Sequence, residues 1–119
     1  MHLNQITDAL SVSPQITAED ISALKQAGFR SIICNRPDGE GEDQPPHKEI
    51  ESAAKAAGLE MCYLPVQSGF VTGEDAVAFG AALRDLPGPV LAYCRSGTRS
   101  ATLWSMWHAH CDTRTVAAE

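Results

Sequence analysis

Compact apolar runs and stretches of helical periodicity alternate along the chain. A weak alternation at 6–13 predicts an edge strand, and continuous apolar runs predict buried strands at 29–35, 59–66 and 87–94. Helices are expected between and after these strands, and Thr17 and Thr72 are of the residue type that caps helix N-termini. The four predicted helices cover 18–28, 47–58, 74–86 and a segment from Thr98 or Arg99 to about His110.

This alternation predicts an α/β fold of three layers, with a central, mostly parallel sheet flanked by helices. With 119 residues the chain is expected to form one domain, 1–119. In such sheets ligands bind beyond the carboxyl ends of the strands. Three unusual loops follow predicted strands at that edge: NRPDGE at 35–40, VQSGF at 66–70 and CRSGTR at 94–99. We therefore expect the functional site there.

Charge and composition narrow the class of partner. The net charge of −6 and the pI of about 5.1 argue against nucleic acid, which binds basic surfaces. No apolar run approaches the roughly 20 residues of a membrane helix, and the N-terminal segment does not resemble a secretory signal. A cytoplasmic protein that binds neither nucleic acid nor membrane is therefore expected. In a reducing compartment its four cysteines are expected as thiols.

The segment WHAHC at 107–111 contains three potential metal ligands: His108, His110 and Cys111. On a helix, however, His108 and His110 point about 200° apart and cannot face one ion. The cysteines show no spacing typical of a zinc site either. We predict no metal and no cofactor.

Cys94 lies where the last predicted strand gives way to the last helix, in the stretch YCRSGTRS at 93–100. The backbone N–H groups of a tight turn and the N-terminus of a helix both attract negative charge. Arg95 and Arg99 add two guanidinium groups close to the sulfur. Such surroundings lower the pKa of a cysteine thiol, and the resulting thiolate is a nucleophile. Cys94 is therefore predicted to be catalytic.

The other positions of this loop have expected roles around the same sulfur. Arg99 can direct two parallel donors at a bound anion, while Arg95 lines the mouth and attracts charged substrate. Gly97 permits the positive φ that a tight cradle commonly needs. Hydroxyl groups are expected to donate to the thiolate or the substrate, with Ser100 tuning the thiolate. They belong to Ser96, Thr98 and Ser100.

The loop NRPDGE offers a second wall for the site. Arg36 is expected to bind the substrate anion, and Asp38 to orient Arg36 or Arg99. An ordinary β-turn is an equal alternative, because Pro-Asp-Gly is favourable turn chemistry. Both interpretations remain open from the residues alone.

Four stretches resemble, in order, the phosphatase-like domain of bacterial beta-lactamase-hydrolase-like proteins: LSVSPQIT, FRSIICNRPDGE, LPV and LAYCRSGTRSATLWSM. The resemblance covers about residues 3–107 and implies the fold of dual-specificity phosphatases, with a cysteine loop at the active site. Relatives of this domain occur alone or fused to persulfide dioxygenases, which implies a role in sulfide and persulfide handling. Some relatives have been described as phosphatases.

The sequence departs from the phosphatase pattern at three places. Phosphatases of this fold place five residues between cysteine and arginine, whereas Cys94 and Arg99 are separated by four, as in the rhodanese loop. The histidine that usually precedes the cysteine is Tyr93. The aspartate that serves as general acid falls at or near Gln67, whose amide cannot supply a proton.

These departures favour a rhodanese-type sulfurtransferase. Cys94 would carry a persulfide, taking sulfur from thiosulfate or a low-molecular-weight persulfide and passing it to a thiol acceptor. A persulfide dioxygenase is the expected partner or fusion. The first alternative is a cysteine-dependent phosphatase of the tyrosine or dual-specificity type that forms a phosphocysteine. The second is a non-catalytic module that senses an anion or sulfur.

Overall fold

A five-stranded sheet forms the centre of the computed structural model, which describes residues 2–118 and, in the last helix, side chains as far as residue 109. Within this range the strands lie in the order β1–β2–β5–β3–β4, with β1 antiparallel to β2 and the others parallel. The predicted mostly parallel sheet is confirmed. The strands are β1 (Asn4–Thr7), β2 (Leu10–Ser13), β3 (Ser31–Cys34), β4 (Glu60–Tyr63) and β5 (Val90–Tyr93).

The predicted edge strand at 6–13 is wrong, because this segment contains a turn. The Ala9 N–H donates to Thr7 Oγ1 at 3.1 Å, and the chain reverses between β1 and β2. β1 is the edge strand, whereas β2 lies between β1 and β5 and is buried along its whole length. Ser11 and Ser13 give β2 a polar pattern although both are buried, and this pattern led to the edge prediction.

β4 is a second departure from the predicted strands. Its apolar composition predicts burial on both faces, yet it forms the other edge of the sheet, and Glu60 is exposed. β3 and β5 do have both faces buried.

Helices cover both faces of the sheet, which confirms the three layers. Alternate positions of β3 show the arrangement: Ile32 packs with the layer of α1 and α2, and Ile33 with the layer of α3 and α4. The helices are α1 (Ile21–Gln26), which follows a 3₁₀ turn at Ala18–Asp20, α2 (His47–Ala56), α3 (Gly73–Asp85) and α4 (Thr98–Ala118). No helix in the described range is long and apolar enough to cross a bilayer.

Helix boundaries follow the capping residues. The Thr72 hydroxyl accepts the Asp75 N–H at 3.1 Å, and the Asp75 carboxylate accepts the Thr72 N–H at 3.0 Å, closing a capping box at the start of α3. Asp20 accepts the Thr17 N–H in the same way at 2.9 Å. α4 begins at Thr98 as expected but continues past His110, the predicted end.

α3 and α4 approach each other closely where a glycine faces an indole. A Cβ atom built on Gly80 would lie 2.2 Å from the Trp107 ring. Trp107 packs against the apolar layer that also contains Phe79 and Leu103. This contact holds the helix that carries Arg99 against the sheet.

Candidate active site

The loop between β5 and α4 wraps around the sulfur of Cys94. Cys94 is buried, and its Sγ accepts a hydrogen bond from the Gly97 N–H at 3.0 Å. Gly97 has a φ of +94°, and an added Cβ would come within 3.3 Å of the Ser13 carbonyl group. The Cys94 N–H also donates to the Ser13 carbonyl, at 3.4 Å. Both the backbone conformation and the close approach to β2 therefore favour glycine at 97.

Arg99 is buried, and its guanidinium joins three loops. Nη1 donates to Glu40 Oε2 at 2.8 Å and to the Val66 carbonyl at 2.8 Å, and Nη2 donates to Glu40 Oε1 at 2.7 Å. These bonds occupy three of the five N–H groups of an arginine. Since Glu40 takes the end of the group, Nε–H and the second N–H of Nη2 remain side by side along one edge. Two parallel donors of this kind match a pair of anion oxygens.

A cavity of about 670 Å³ opens beside this loop. Arg95 and Arg99 provide its positive charge, while Val71 and Met106 provide apolar surface. Its other lining residues are Ser68, Gly69, Ser96, Thr98 and Thr102. An anion held by Arg99 can therefore carry an apolar substituent into the same cavity.

Glu40 is the functional residue that the sequence reasoning missed. Its Oε1 also accepts from Arg36 Nε at 3.0 Å, so one carboxylate bridges two arginines. The hydrogen bond from Arg99 lowers the pKa of Glu40, and the same bond raises the pKa of Arg99. The side chain of Glu40 is 24% exposed and remains ionised at neutral pH. Its position at the end of the NRPDGE motif was the available signal.

Asp38, which was expected to orient Arg36 or Arg99, serves α2 instead. It accepts the His47 N–H at 2.8 Å and contacts His47 Nδ1 at 2.7 Å, at the helix start where Pro46 offers no capping side chain. Burial raises the pKa of Asp38, but the bonds from His47 outweigh that effect and leave the pKa lowered. Tyr63 stacks on the His47 ring with centroids 3.6 Å apart. The expected role of Asp38 belongs to Glu40, two positions further along the loop.

Arg36 contacts the site through Glu40 and is not among the residues that line the cavity. Besides its bond to Glu40, its Nη1 donates to Gln15 Oε1 at 3.0 Å. A Cβ atom added at Gly41 would lie 2.8 Å from Arg36 Nη2, so the chain passes close to the guanidinium there. These contacts bury the guanidinium that was expected to bind substrate.

Two of the three predicted hydroxyl donors line the cavity. Ser96 Oγ donates to Thr98 Oγ1 at 3.0 Å and accepts the Thr98 N–H at 3.3 Å, where α4 begins. Ser100 is fully buried and donates to Asn35 Oδ1 at 2.8 Å, while Asn35 Nδ2 donates to the Leu64 carbonyl at 3.0 Å. The Ser100 hydroxyl proton is therefore directed to Asn35 and not to Cys94.

The loop at the predicted general-acid position carries no acid. Gln67 is exposed, and its carbonyl accepts the Phe70 N–H at 3.0 Å, while Ser68 and Gly69 line the cavity. Phe70 is 67% exposed. The next carboxylates along the chain belong to Glu74 and Asp75, and Asp75 is used in the capping box of α3.

Three further titratable side chains near this edge of the sheet are buried or partly buried. Burial raises the pKa of Tyr93 and of the Cys34 thiol, and both side chains lie in the layer of α1 and α2. Burial likewise raises the pKa of Cys62. Within the described side chains no three of the metal-binding types gather in one place. The side chains of His110 and Cys111 lie outside the described residues.

Two solved structures show the fold that the resemblance implied. A protein of Neisseria meningitidis named "putative phosphatase" is 37% identical, with a TM-score of 0.83 over 87% of this chain and 74% of that one. Tk-PTP is 16% identical, with a TM-score of 0.69 over 92% and 71% of the two chains, and it shows likeness of fold alone. The fold like that of the dual-specificity phosphatases is confirmed.

The predicted sulfurtransferase activity is wrong in the light of these comparisons. The matching family, at residues 2–111, is described as "Beta-lactamase hydrolase-like protein, phosphatase-like domain". The prediction relied on the short spacing between Cys94 and Arg99. That spacing is a poor guide, because Ser13, Glu40 and Val66 from other parts of the chain also hold the loop. None of the comparisons tests the predicted partners, which stay predictions.

The curated relatives are longer proteins. The "Beta-lactamase hydrolase-like protein" of Agrobacterium fabrum is 38% identical over 105 residues, which are 88% of this chain and 24% of the relative. The chain thus spans about a quarter of the length of the curated relatives it matches. By the match over residues 2–111, the chain belongs to the family of the phosphatase-like domain of beta-lactamase hydrolase-like proteins.

Proposed function

We propose that this chain is a cysteine-dependent phosphatase that forms a phosphocysteine at Cys94. The supporting observation is the placement of two groups on one loop: a sulfur that already accepts an N–H bond, and a guanidinium with one donor edge left for an anion. A phosphoryl group is an anion with several equivalent oxygens, which suits parallel donors. The start of α4 adds positive partial charge at the same place.

Substrate binding brings the phosphorus against the sulfur. Arg95 attracts the dianion to the cavity, and the Nε and Nη2 edge of Arg99 binds two of its oxygens. Glu40 and the Val66 carbonyl hold that edge in one orientation before substrate arrives. This preorganisation stabilises the charge that spreads over the equatorial oxygens in the transition state.

The reaction then proceeds in two displacements. The Cys94 thiolate attacks phosphorus, the S–P bond forms, and the P–O bond to the leaving group breaks. Water next attacks the phosphorus of the phosphocysteine, the S–P bond breaks, and inorganic phosphate leaves with the thiolate restored. The water proton passes to solvent.

Phosphate release from 4-nitrophenyl phosphate tests this proposal. The wild type should release phosphate, Cys94→Ser should lose at least about 1,000-fold in kcat, as expected when a covalent nucleophile is removed, and Cys62→Ser should match the wild type. Rapid acid quench should show the mass of one phosphoryl group on the wild type and none on Cys94→Ser. Equal release by wild type and Cys94→Ser would refute the assignment.

A further inference from the structure

Cations, hydroxyls and apolar groups line the cavity beside the Cys94 loop, and the described residues that line it include no carboxylic acid and no imidazole. A second cavity, of about 560 Å³, adjoins the first and shares Ser96, Thr98 and Thr102 with it. His2 is the titratable side chain among the residues that line it. Among the described side chains, therefore, none that could protonate a departing oxygen lines the cavity where the leaving group would sit.

The carboxylates closest along the chain do not line this cavity. Asp75 accepts the Thr72 N–H in the capping box, and Glu74 lines a separate groove between α3 and α4 that meets the cavity at Met106. Glu40, which touches Arg99, bridges two guanidinium groups and has a lowered pKa. An ionised carboxylate has no proton to give at neutral pH. Asp38 is likewise bonded to His47.

We infer that this site cleaves phosphate esters of acidic hydroxyls, whose oxygen departs as an anion, and that aryl phosphates are its substrate class while alkyl phosphates are not cleaved. The inference rests on the proposed function and names the leaving groups that it serves. When the S–P bond forms, the electron pair of the broken P–O bond stays on the leaving oxygen. A phenolate is stable enough to leave in this form, whereas an alkoxide needs a proton during bond cleavage.

The cavity walls agree with an aryl substituent. Val71 and Met106 line the cavity together with the two arginines, and Phe70, directly before Val71 in the chain, has an exposed ring. Flat apolar groups pack favourably against such side chains. The apolar wall thus suits the class of leaving group that the missing acid requires.

The test is a series of monoesters with increasingly basic leaving groups: 4-nitrophenyl phosphate, phenyl phosphate and glycerol phosphate. For the wild type, kcat/KM should fall about 100-fold or more between the two aryl esters, the scale of the ~10²–10⁴ that a positioned acid would supply. Glycerol phosphate should not be hydrolysed above background. Between about pH 6 and pH 8 the profile of kcat/KM should show no descending basic limb, since such a limb reports an essential acid.

His2→Asn provides the matched control, because His2 lies in the neighbouring cavity. If kcat/KM falls as steeply across the three esters in His2→Asn as in the wild type, the inference is supported. If the wild type instead cleaves all three esters, glycerol phosphate included, with comparable kcat/KM, the inference is overturned but the proposed phosphatase function stands. If kcat/KM falls more steeply across the esters in His2→Asn than in the wild type, the inference is also overturned, because His2 is then identified as the acid. No hydrolysis of any ester would remove the proposed function itself and the inference with it.

Discussion

At the scale of single residues, one carboxylate fixes the orientation of the Arg99 guanidinium. The Glu40 carboxylate accepts hydrogen bonds from both Arg99 and Arg36, so one negative charge bridges two guanidinium groups. The motif CRSGTR singled out Cys94 and Arg99, because a tight turn, a glycine and arginines are typical of an anion site, but it did not distinguish sulfur transfer from phosphoryl transfer. Glu40 could not be chosen over Asp38 from the sequence, since both lie in one loop whose conformation decides which carboxylate turns inward.

Glu40→Gln should lower kcat/KM for 4-nitrophenyl phosphate by about 10- to 100-fold, because misplacement of a binding group by about 1 Å has effects of this size. The amide keeps the shape but loses the charge that holds Arg99. Glu42→Gln, an exposed neutralisation in the same loop, is the matched control and should have no effect. Equal activities of the two variants would show that Glu40 does not position Arg99.

The lowered pKa of Glu40 also predicts how stability depends on pH. A carboxylate with a folded-state pKa below its ordinary value of 4.5 stabilises the fold above that value, and this stabilisation is lost as the pH falls through the lowered pKa. At pH 7 the free energy of unfolding of the wild type should exceed that of Glu40→Gln by about 1–2 kcal/mol. Urea titrations should show this difference narrowing as the pH falls below 4.5. A difference that does not change with pH would contradict the prediction.

At the scale of elements, periodicity predicted the helices well and the strands less well. α2 was found from its amphipathic spacing, although Pro46 provides no side-chain cap, and α3 from its Thr72 cap. The start of α4 at Thr98 was also predicted correctly. The β1–β2 turn was missed because Thr7 to Leu10 contains neither glycine nor proline, so its closure by Thr7 Oγ1 leaves no clear sequence signal. The sequence placed the β2 segment at an edge of the sheet and β4 in the interior, the reverse of the structure, because strand order is set by tertiary pairing.

Gly80→Ala should destabilise the contact between α3 and α4. The new methyl group would overlap the Trp107 ring, and overpacking of this kind costs about 1–3 kcal/mol, more than the gain in helix propensity. Gly73→Ala, in the first position of the same helix with open space around it, is the control. Thermal unfolding should show a lower Tm for Gly80→Ala alone. A Tm that rises in both variants would show that Trp107 moves aside without cost.

At the scale of the whole molecule, a buried polar connection joins α4 to the loops that follow β3 and β4, beside the candidate site. Ser100 at the start of α4 bonds to Asn35 after β3, and Asn35 bonds to the Leu64 carbonyl after β4. The sequence located these three loops at one edge, because parallel strands align their carboxyl ends. It could not show this connection, since serine and asparagine are common loop residues without a distinctive spacing.

Ser100→Ala should lower the free energy of unfolding by about 1–3 kcal/mol, because Asn35 Oδ1 is left buried without a donor. Asn35→Ala and the double variant complete a cycle, and a coupling energy above about 0.5 kcal/mol is expected for side chains in contact. Urea titration measures all four proteins. Additive losses would show that the two side chains act independently.

The position of β5 in the sheet has a consequence for the order of folding. β5 pairs with β2 on one side and with β3 on the other, so Leu10 and Ser31 both meet Val90. Until β5 has been synthesised, the N-terminal hairpin has no partner strand and the two parts of the sheet remain separate. Long-range pairings of this kind form slowly. The strand that joins the two parts of the sheet ends at Tyr93, directly before the proposed nucleophile Cys94, so we expect the central pairings of the sheet and the proposed catalytic loop to form together.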